Sequence, residues 1–522
     1  MTRTKPAIKK RPACPKGATL SQRRAFLALH AFCLDPAEAS GLRVLSGYAG
    51  TGKTWLAAHL IEAACTKGLR VAVCAPTHKA VSVMTAKLAR HVRAKVWSGT
   101  LHALLGLKLR ETHEGVMRVT LDRYSKTLYF ESYDLVFIDE SSMVGPELLS
   151  YIQRFAQGAR TRVVYIGDPG QLLPVEEKAD TPDPQQGLAF ADAADHEPPV
   201  FTQGSTRHDL VEVVRQKSTG RPHPIIQLAG EIRRYIEGEA SGVFDADAIR
   251  RYLAEHATKL PGVHLARAVH AAEGAVSLRR RRPGKDIRVI AWRNRVVDER
   301  NRFIHQGLAA LYGRDEQEER DAAPFWPGET LIARETVYAF RSAANIQERG
   351  AKVWEEALAP IEGSRGTEGA ERERRDALVD LVPNNTEMMV VACEALHHPY
   401  LDIASWRIQA KAPGQDEAVE LFVAHNPLEY ERLVRKTWTM YRTAEGRGPE
   451  DFRRAWAVTR ACAPVMHAYA MTAHKAQGST FHYALVDVAD LYGMAAGGKA
   501  CDYHRALYVA VTRAAEQVWL CL

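Results

Sequence analysis

The sequence predicts an α/β protein with two parallel-sheet domains, each carrying an insertion. Three observations predict it. Between Leu42 and Gly167, short apolar runs alternate with helical patterns. A glycine-rich loop, residues 47–54, joins the first of these runs to a helix. A second group of apolar runs, at 287–291 and 483–488, is split by a long stretch of different composition.

In the first group, Leu42–Ser46, Arg70–Ala75, Leu135–Asp139 and Arg162–Ile166 read as buried strands. Lys53–Cys65 and Lys79–Ala89 read as the helices between them. Strands covered on both faces lack polar alternation, and that is the pattern here. Ligands of such sheets bind at the carboxyl ends of the strands. Leu107–Arg110 and Val116–Leu121 flank a turn at His113-Glu114-Gly115 and read as an inserted β-hairpin. In the second group, Ile287–Ala291, Tyr483–Val488 and Gln517–Leu522 read as strands, with helices at Arg295–Leu308 and His504–Arg513. The insertion between them is rich in Glu, Arg and Ala from Arg341 to Asp380 and reads as exposed helix there. His397-His398 reads as a turn in preference to a metal site.

The 522 residues are too many for one ordinary core. This divides the chain as follows: a basic disordered tail at 1–19; a first α/β domain at 20–98 and 133–200; the hairpin at 99–132; a second α/β domain at 201–308 and 462–522; and an accessory domain at 309–461. The tail lacks the apolar stretch of a secretory signal. No apolar run is long enough to span a bilayer, so no membrane partner is expected. A formal charge of +8 is compatible with a polyanionic partner and proves none. None of the eight cysteines forms a C-x-x-C pair, so a zinc knuckle is not expected and a reducing cytoplasm fits best.

Gly47-Tyr48-Ala49-Gly50-Thr51-Gly52-Lys53-Thr54 matches G-x-x-x-x-G-K-[ST] between a strand and a helix. Glycines let successive backbone N–H groups converge on phosphate oxygens, and the helix N-terminus adds partial positive charge. Lys53 then reaches the terminal phosphates of ATP, and the Thr54 hydroxyl ligates Mg2+. Val136-Phe137-Ile138-Asp139-Glu140 is an apolar strand ending in two carboxylates. Asp139 is expected to hold magnesium through its waters, and Glu140 to orient or deprotonate the attacking water. Gln171, in Gly167-Asp168-Pro169-Gly170-Gln171, is placed to sense the terminal phosphate; a plain Pro-Gly turn fits the same composition.

These three stretches resemble motifs I, II and III of the superfamily 1 helicases. Other stretches resemble the rest of the set, in order. Ala75-Pro76-Thr77-His78-Lys79-Ala80 looks like motif Ia and Thr100-Leu101-His102 like motif Ib. Val211-Glu212-Val213-Val214-Arg215-Gln216 looks like motif IV, the stretch from Tyr469 through Thr472, His474, Gln477 and Gly478 to Ser479 like motif V, and Tyr508–Ala514 like motif VI. The wording Thr-x-His-Lys-x-Gln-Gly and Tyr-Val-Ala-x-Thr-Arg is similar to the RecD/Dda-like branch, superfamily 1B. Leu173 departs from the second proline common in the family, and the 341–380 insert leaves the accessory domain's shape open.

The resemblance implies two RecA-like P-loop domains, an SH3-like accessory fold with a helical insert, and 5′→3′ movement on single-stranded DNA. It implies that Gln22 reads the adenine edge, although a surface glutamine on a helix explains the residue as well. Arg215 and Arg513 become candidate arginine fingers on the γ-phosphate. Pro76, Thr77, His78, Lys79, Thr100, His102, Thr472 and His474 become candidate contacts to the strand's phosphates. Gln477 and Gly478 are expected between the nucleotide and DNA paths. The hairpin tip, His113 and Glu114, resembles a strand-separating pin; a solvated structural hairpin is the equal alternative.

The implied function is an ATP-dependent DNA helicase whose domains close on ATP and open after hydrolysis. Its partners are single-stranded DNA and duplex junctions, with single-strand-binding or replication proteins in replication, recombination or repair. The alternative is a translocase that displaces proteins from DNA without processive unwinding. A binding clamp with a decayed ATPase is disfavoured by the intact Lys53, Thr54, Asp139, Glu140, Arg215 and Arg513. Phosphate contacts alone do not exclude RNA.

Overall fold

The apolar runs of the first half are strands because their residues are buried on both sides. Val71–Ala75 is covered along its whole length, as is Leu135–Ile138. The computed structural model describes residues 14–35, 41–111, 117–121, 130–158, 161–173, 198–202, 206–214, 223–256, 260–282, 284–309, 323–335, 337–339, 380–382, 384–398, 401, 403–412, 418–443, 455 and 458–522. Its contacts divide the chain into two units. One is Met1–Ala268 with Ala476–Leu522; the other is Val269–Lys475.

In the first unit the strands are β1 (Leu42–Gly47), β2 (Val71–Ala75), β3 (Trp97–Thr100), β4 (Leu107–Glu111), β5 (Met117–Leu121), β6 (Leu135–Ile138), β7 (Arg162–Gly167), β8 (Thr206–Leu210) and β9 (Val263–Ala266). A six-stranded parallel sheet runs β3-β2-β6-β7-β1-β8. The helix Lys53–Thr66 packs Leu56, Leu60 and Ile61 into one apolar cluster with Phe137 and Val164. The helix Pro146–Gly158 lends Leu149 and Ile152 to a second cluster with Val136 and Tyr165. Phe137 and Val136 are sequence neighbours and so face opposite sides of the sheet, which puts a layer on each face. Each fully buried side chain of this size stabilises the fold by about 1.5–3 kcal/mol. The sheet matters for function because β1, β6 and β7 all end where Gly47, Asp139 and Asp168 begin the next loops.

β4 and β5 pair antiparallel, with Leu107 opposite Leu121, so a hairpin stands where one was expected. Its tip, with His113 and Glu114, lies outside the described residues. Residues 14–19, assigned above to the tail, are in part ordered. Ala18 and Thr19 are buried, Cys14 packs against the core, and Thr19 caps the helix Leu20–Leu34 with Gln22 at its third position, a capping box.

In the second unit, β10 (Ile287–Ala291) pairs in parallel with β18 (Ala470–Thr472). The helix Asn294–Gly307 covers them and supplies buried Asn301, whose amide donates to the Ala470 carbonyl (3.1 Å) and accepts from its N–H (2.7 Å). That side chain satisfies backbone groups that would otherwise be buried unpaired. Between these strands lie β11 (Thr330–Ala333), β12 (Val337–Ala339), β13 (Asp380–Val382), β14 (Glu387–His397), β15 (Ala404–Lys411), β16 (Val419–Ala424) and β17 (Val465–His467). An antiparallel sheet runs β16-β15-β14-β11-β17 over a core of Leu331, Met388, Val390, Ile408 and Leu421. The helix expected over 341–380 falls, but for Asp380, outside the described residues.

The chain closes in the first unit with β19 (Phe481–Asp487) and β20 (Ala514–Cys521), and β9, β20 and β19 lie parallel in that order. Three elements here start earlier than the sequence reading places them, β20 by three residues. β19 starts at Phe481, two residues early, because the Phe481 N–H donates to the Arg513 carbonyl (2.9 Å). The helix Ala500–Thr512 starts four residues early, and no side chain caps it, so the sequence carries no start signal there. Every residue from Tyr503 to Thr512 is buried, which makes this a central helix and not a surface one.

Candidate nucleotide-binding site

The chain leaves β1 at Gly47 and enters a helix at Lys53 through a turn only glycine permits. A Cβ on Gly47 would fall 2.7 Å from Thr51 Oγ1 and 2.9 Å from the Leu210 carbonyl oxygen. Gly52 has φ +83°, and a Cβ there would meet Gln22 Nε2 at 2.6 Å. The helix Lys53–Thr66 then begins without a capping side chain. Its first N–H groups therefore face a cavity of about 350 Å3. Uncapped N–H groups at a helix start form an anion site.

Lys53 Nζ rests on its own loop, donating to the carbonyls of Gly47 (2.5 Å) and Tyr48 (3.1 Å). The cavity gathers Lys53, Thr54, Asp139, Glu140, Gln171, Gly478 and Arg513, together with Gln22, Ala49, Gly50 and Gly52. Asp139 Oδ1 accepts the Glu140 N–H at 2.9 Å. Glu140 sits in the left-handed region at φ +50°, one of two such non-glycine residues among those described. Backbone strain of this kind costs about 1 kcal/mol or more and collects at functional sites. Burial pushes both carboxyls above their ordinary range, and Glu140 adds to the effect on Asp139. Lys53 pulls both back, and Arg513 pulls Glu140 back. A desolvated carboxylate pair short of donors, with the Thr54 hydroxyl beside it, is a donor set that suits a hard divalent cation.

Gln171 is 4% exposed, and its Oε1 accepts from Gln477 Nε2 at 2.7 Å. It also hydrogen-bonds Glu140. Gln171 ends a Pro-Gly turn, with its N–H on the Asp168 carbonyl (3.2 Å), and it also lines the cavity. Arg513 likewise has two roles. Nη1 donates to the Ser479 carbonyl and Nε to that of Val509, both at 3.2 Å, while the side chain lines the cavity. Arg215 lies outside the described residues.

Gln22 is 1% exposed, so the surface alternative falls. Its Oε1 accepts the Thr19 N–H (2.9 Å) and its Nε2 donates to the Thr51 carbonyl (2.8 Å). The amide thus ties a helix cap to the phosphate loop. Sequence reasoning missed several partners. Glu212 accepts from Thr19 Oγ1 and the Ser21 N–H, both at 3.1 Å, and the Val214 N–H donates to the Gly50 carbonyl (2.8 Å). Tyr508 and Arg505 grip the turn after β7. Tyr508 falls within the stretch that resembles motif VI, whereas nothing in the sequence around Arg505 marks that residue.

Two family models match the chain: an AAA domain over residues 28–230 and a UvrD-like helicase C-terminal domain over residues 467–521. The ATP-dependent RecD2 DNA helicase of Deinococcus radiodurans is 32% identical over 232 residues, 44% of this chain and 26% of that protein. The RecBCD enzyme subunit RecD of Mycobacterium tuberculosis is 28% identical over 269 residues, 47% of this chain and 42% of that one. Over somewhat less than half of its length the chain is similar to these RecD helicases. The parallel sheets and their covering helices make the architecture α/β. The matches span less than half the length of these relatives. Among solved structures, the Pif1 helicase from Candida albicans aligns over 96% of this chain and 94% of its own, at 16% identity and a TM-score of 0.46.

The residues of Ala75–Ala80 and Thr100–His102 open short helices after β2 and β3. Pro76 and Thr77 follow β2; Thr77 Oγ1 caps the first helix at Ala80 N (3.3 Å), and Thr100 Oγ1 caps the second at Ala103 N (3.2 Å). Lys79 is half-buried, with Nζ 5.8 Å from the Phe481 ring centre. Burial lowers the His78 and His102 pKa values, and Glu147 opposes this at His102. In the second unit Thr472 is buried, and burial pushes His474 down to about 4. These imidazoles are neutral hydrogen-bonding groups near neutral pH, not cations.

One other set of metal-capable side chains converges among the described residues: His305, Glu329 and His467. Glu329 accepts from the Trp326 N–H (2.6 Å), Tyr469 Oη (2.5 Å) and His305 Nδ1 (2.8 Å). Protein donors already take these lone pairs, so the cluster is a closed polar hub. Of the pair expected in a turn, His397 instead ends β14, and His398 follows it, accepting from the Leu401 N–H through Nδ1 (3.2 Å) with Nε2 3.2 Å from the Ala461 carbonyl.

Proposed function

We propose that the chain is an ATP-dependent DNA helicase that moves 5′→3′ on single-stranded DNA. The observation that carries this is the single cavity shared by Lys53, Thr54, Asp139, Glu140, Gln171 and Arg513. Three strand ends and the last helix converge there, and such a set serves phosphoryl transfer. The polarity follows the RecD-like branch.

In this mechanism Lys53 leaves its carbonyl partners for the phosphates, and Gln22 meets the adenine edge. Thr54 and Asp139 would hold magnesium, which would supply positive charge against the phosphates. Glu140 accepts a proton from the attacking water as the water–phosphorus bond forms and the bond to the β-phosphate oxygen breaks. Lys53 and Arg513, with Arg215, balance the charge that develops. Gln171 and Gln477 pass the change to residues 472–478, and hydrolysis drives closure and opening of the two RecA-like domains. Thr77, Lys79, Thr100 and Thr472 hold the strand by its phosphates without reading sequence.

The test is ATP turnover and unwinding on duplexes with a 5′ or a 3′ single-stranded tail. Turnover stimulated by single-stranded DNA, and unwinding of the 5′-tailed substrate alone, are expected. Lys53→Ala should abolish turnover while DNA binding persists. Residual turnover at the wild-type rate would show the nucleotide site to be misplaced, and unwinding from the 3′ tail would overturn the polarity.

A further inference from the structure

The turn that follows β7 is held from outside by one helix. Arg505 Nη1 donates to the carbonyls of both Pro169 (2.5 Å) and Gln171 (2.8 Å). Tyr508, one turn later on the same face of Ala500–Thr512, donates to Asp168 Oδ2 (2.9 Å). The same phenol oxygen accepts the Ala49 N–H (3.0 Å), an amide of the phosphate loop. Asp168 closes the circuit by accepting the Gly170 N–H at Oδ1 (3.0 Å). All of this is inaccessible: Asp168 is 0% exposed, Tyr508 2% and Arg505 4%.

A buried guanidinium that spends one nitrogen on two carbonyls of a four-residue turn fixes the shape of that turn. A lysine nitrogen lies one bond nearer the backbone than Nη1, so it falls short of both carbonyls unless the helix shifts. The turn's last residue is Gln171, whose amide meets Gln477 and Glu140. The helix therefore connects, through hydrogen bonds of ordinary length, the loop that takes phosphate to the glutamine beside the water-activating carboxylate.

We infer that Arg505 and Tyr508 are positioning residues that lock the Asp168–Gln171 turn to the phosphate loop, so that Gln171 and the loop move as one piece. Neither lines the nucleotide cavity; each acts through the turn that carries Gln171. This rests on the ATPase reading above. It adds to that reading a route by which occupation of the loop reaches Gln477.

The test compares Arg505→Lys, Tyr508→Phe, Gln171→Ala and the two double variants that include Gln171→Ala. The readouts are basal ATP turnover, turnover with saturating single-stranded DNA, and KM for ATP. Arg505→Lys and Tyr508→Phe should lower the DNA-stimulation ratio by about tenfold, the size of one or two lost hydrogen bonds. KM should change less than kcat. Adding either change to Gln171→Ala should cause little further loss, because the residues act as a unit. A role in folding alone scales basal and stimulated turnover together and leaves the ratio untouched. That result, or losses that multiply in the double variants, overturns the inference. Tyr508→Phe keeps the ring against Tyr48, so it still reports if Arg505→Lys folds poorly. A wild-type chain whose turnover ignores DNA would defeat the motor reading instead, and the coupling to Gln171 would still be read in basal turnover.

Discussion

Asp139 in the first unit and Glu329 in the second are carboxylates with 8% and 0% exposure. They respond to burial in opposite ways. Asp139 accepts one backbone N–H and has Glu140 beside it, and its pKa rises. Glu329 accepts from a backbone N–H, a phenol and an imidazole, and it is held down at about 2 although burial alone would raise it. Depth is similar; donors differ. A carboxylate given its donors by the chain is structure, and one left short of them is ready for a cation or a proton.

The largest expected effect tests the donor-poor side. Glu140→Gln should lower kcat by about a thousandfold while nucleotide still binds, as loss of a positioned base does. Steady-state turnover paired with a nucleotide-binding measurement reads this. Retained turnover would remove Glu140 from the chemistry.

Next, the two carboxylates should differ in the sign of their effect on stability. Glu329→Ala leaves the Trp326 N–H and Tyr469 hydroxyl without their acceptor and should destabilise the fold by about 3 kcal/mol. Asp139→Asn relieves a desolvated charge and should leave the urea midpoint unchanged or raise it by about 1 kcal/mol. Equal losses from both would break the comparison.

The third expectation concerns pH. The folded pKa of Glu329 lies below its unfolded value, so the folded state binds fewer protons. Its contribution is present above the ordinary Glu pKa and is lost as pH falls toward about 2. Urea midpoints below pH 5 should therefore fall less steeply in Glu329→Gln than in the wild type.

The smallest effect extends the comparison to bases. Partial burial lowers the His78 and His102 pKa values, whereas half-buried Lys79 brings a lysine amine to the same helix start as His78. Lys79→Ala should reduce the salt slope of single-stranded DNA binding by about one unit, and His78→Ala should leave it unchanged. Titrations at several salt concentrations distinguish the two.

Much of the first unit was legible because its signals are local. Leu42–Gly47 and Lys53–Thr66 follow from an apolar run, a glycine loop and a helical period adjacent in sequence. The strand before Asp139 was legible for the same reason. Contacts that join distant positions were not legible. Nothing near Glu212 announces that it holds Ser21, and nothing near Arg505 announces Pro169. Glu329 reads as one more acidic residue after Pro-Gly; only folding brings His305 and His467 to it. The antiparallel sheet of the second unit was only sketched, because its strands lie far apart in the chain and β11 pairs with both β14 and β17.

Lys53 Nζ rests on the carbonyls of Gly47 and Tyr48. Those two oxygens act as an internal rival to any triphosphate. Ligand affinity is then a difference between two sets of bonds, and weakening the resting set should tighten binding with no new contact to the ligand. The same exchange makes the loop selective: only an anion able to outbid a pair of peptide oxygens draws the amine away.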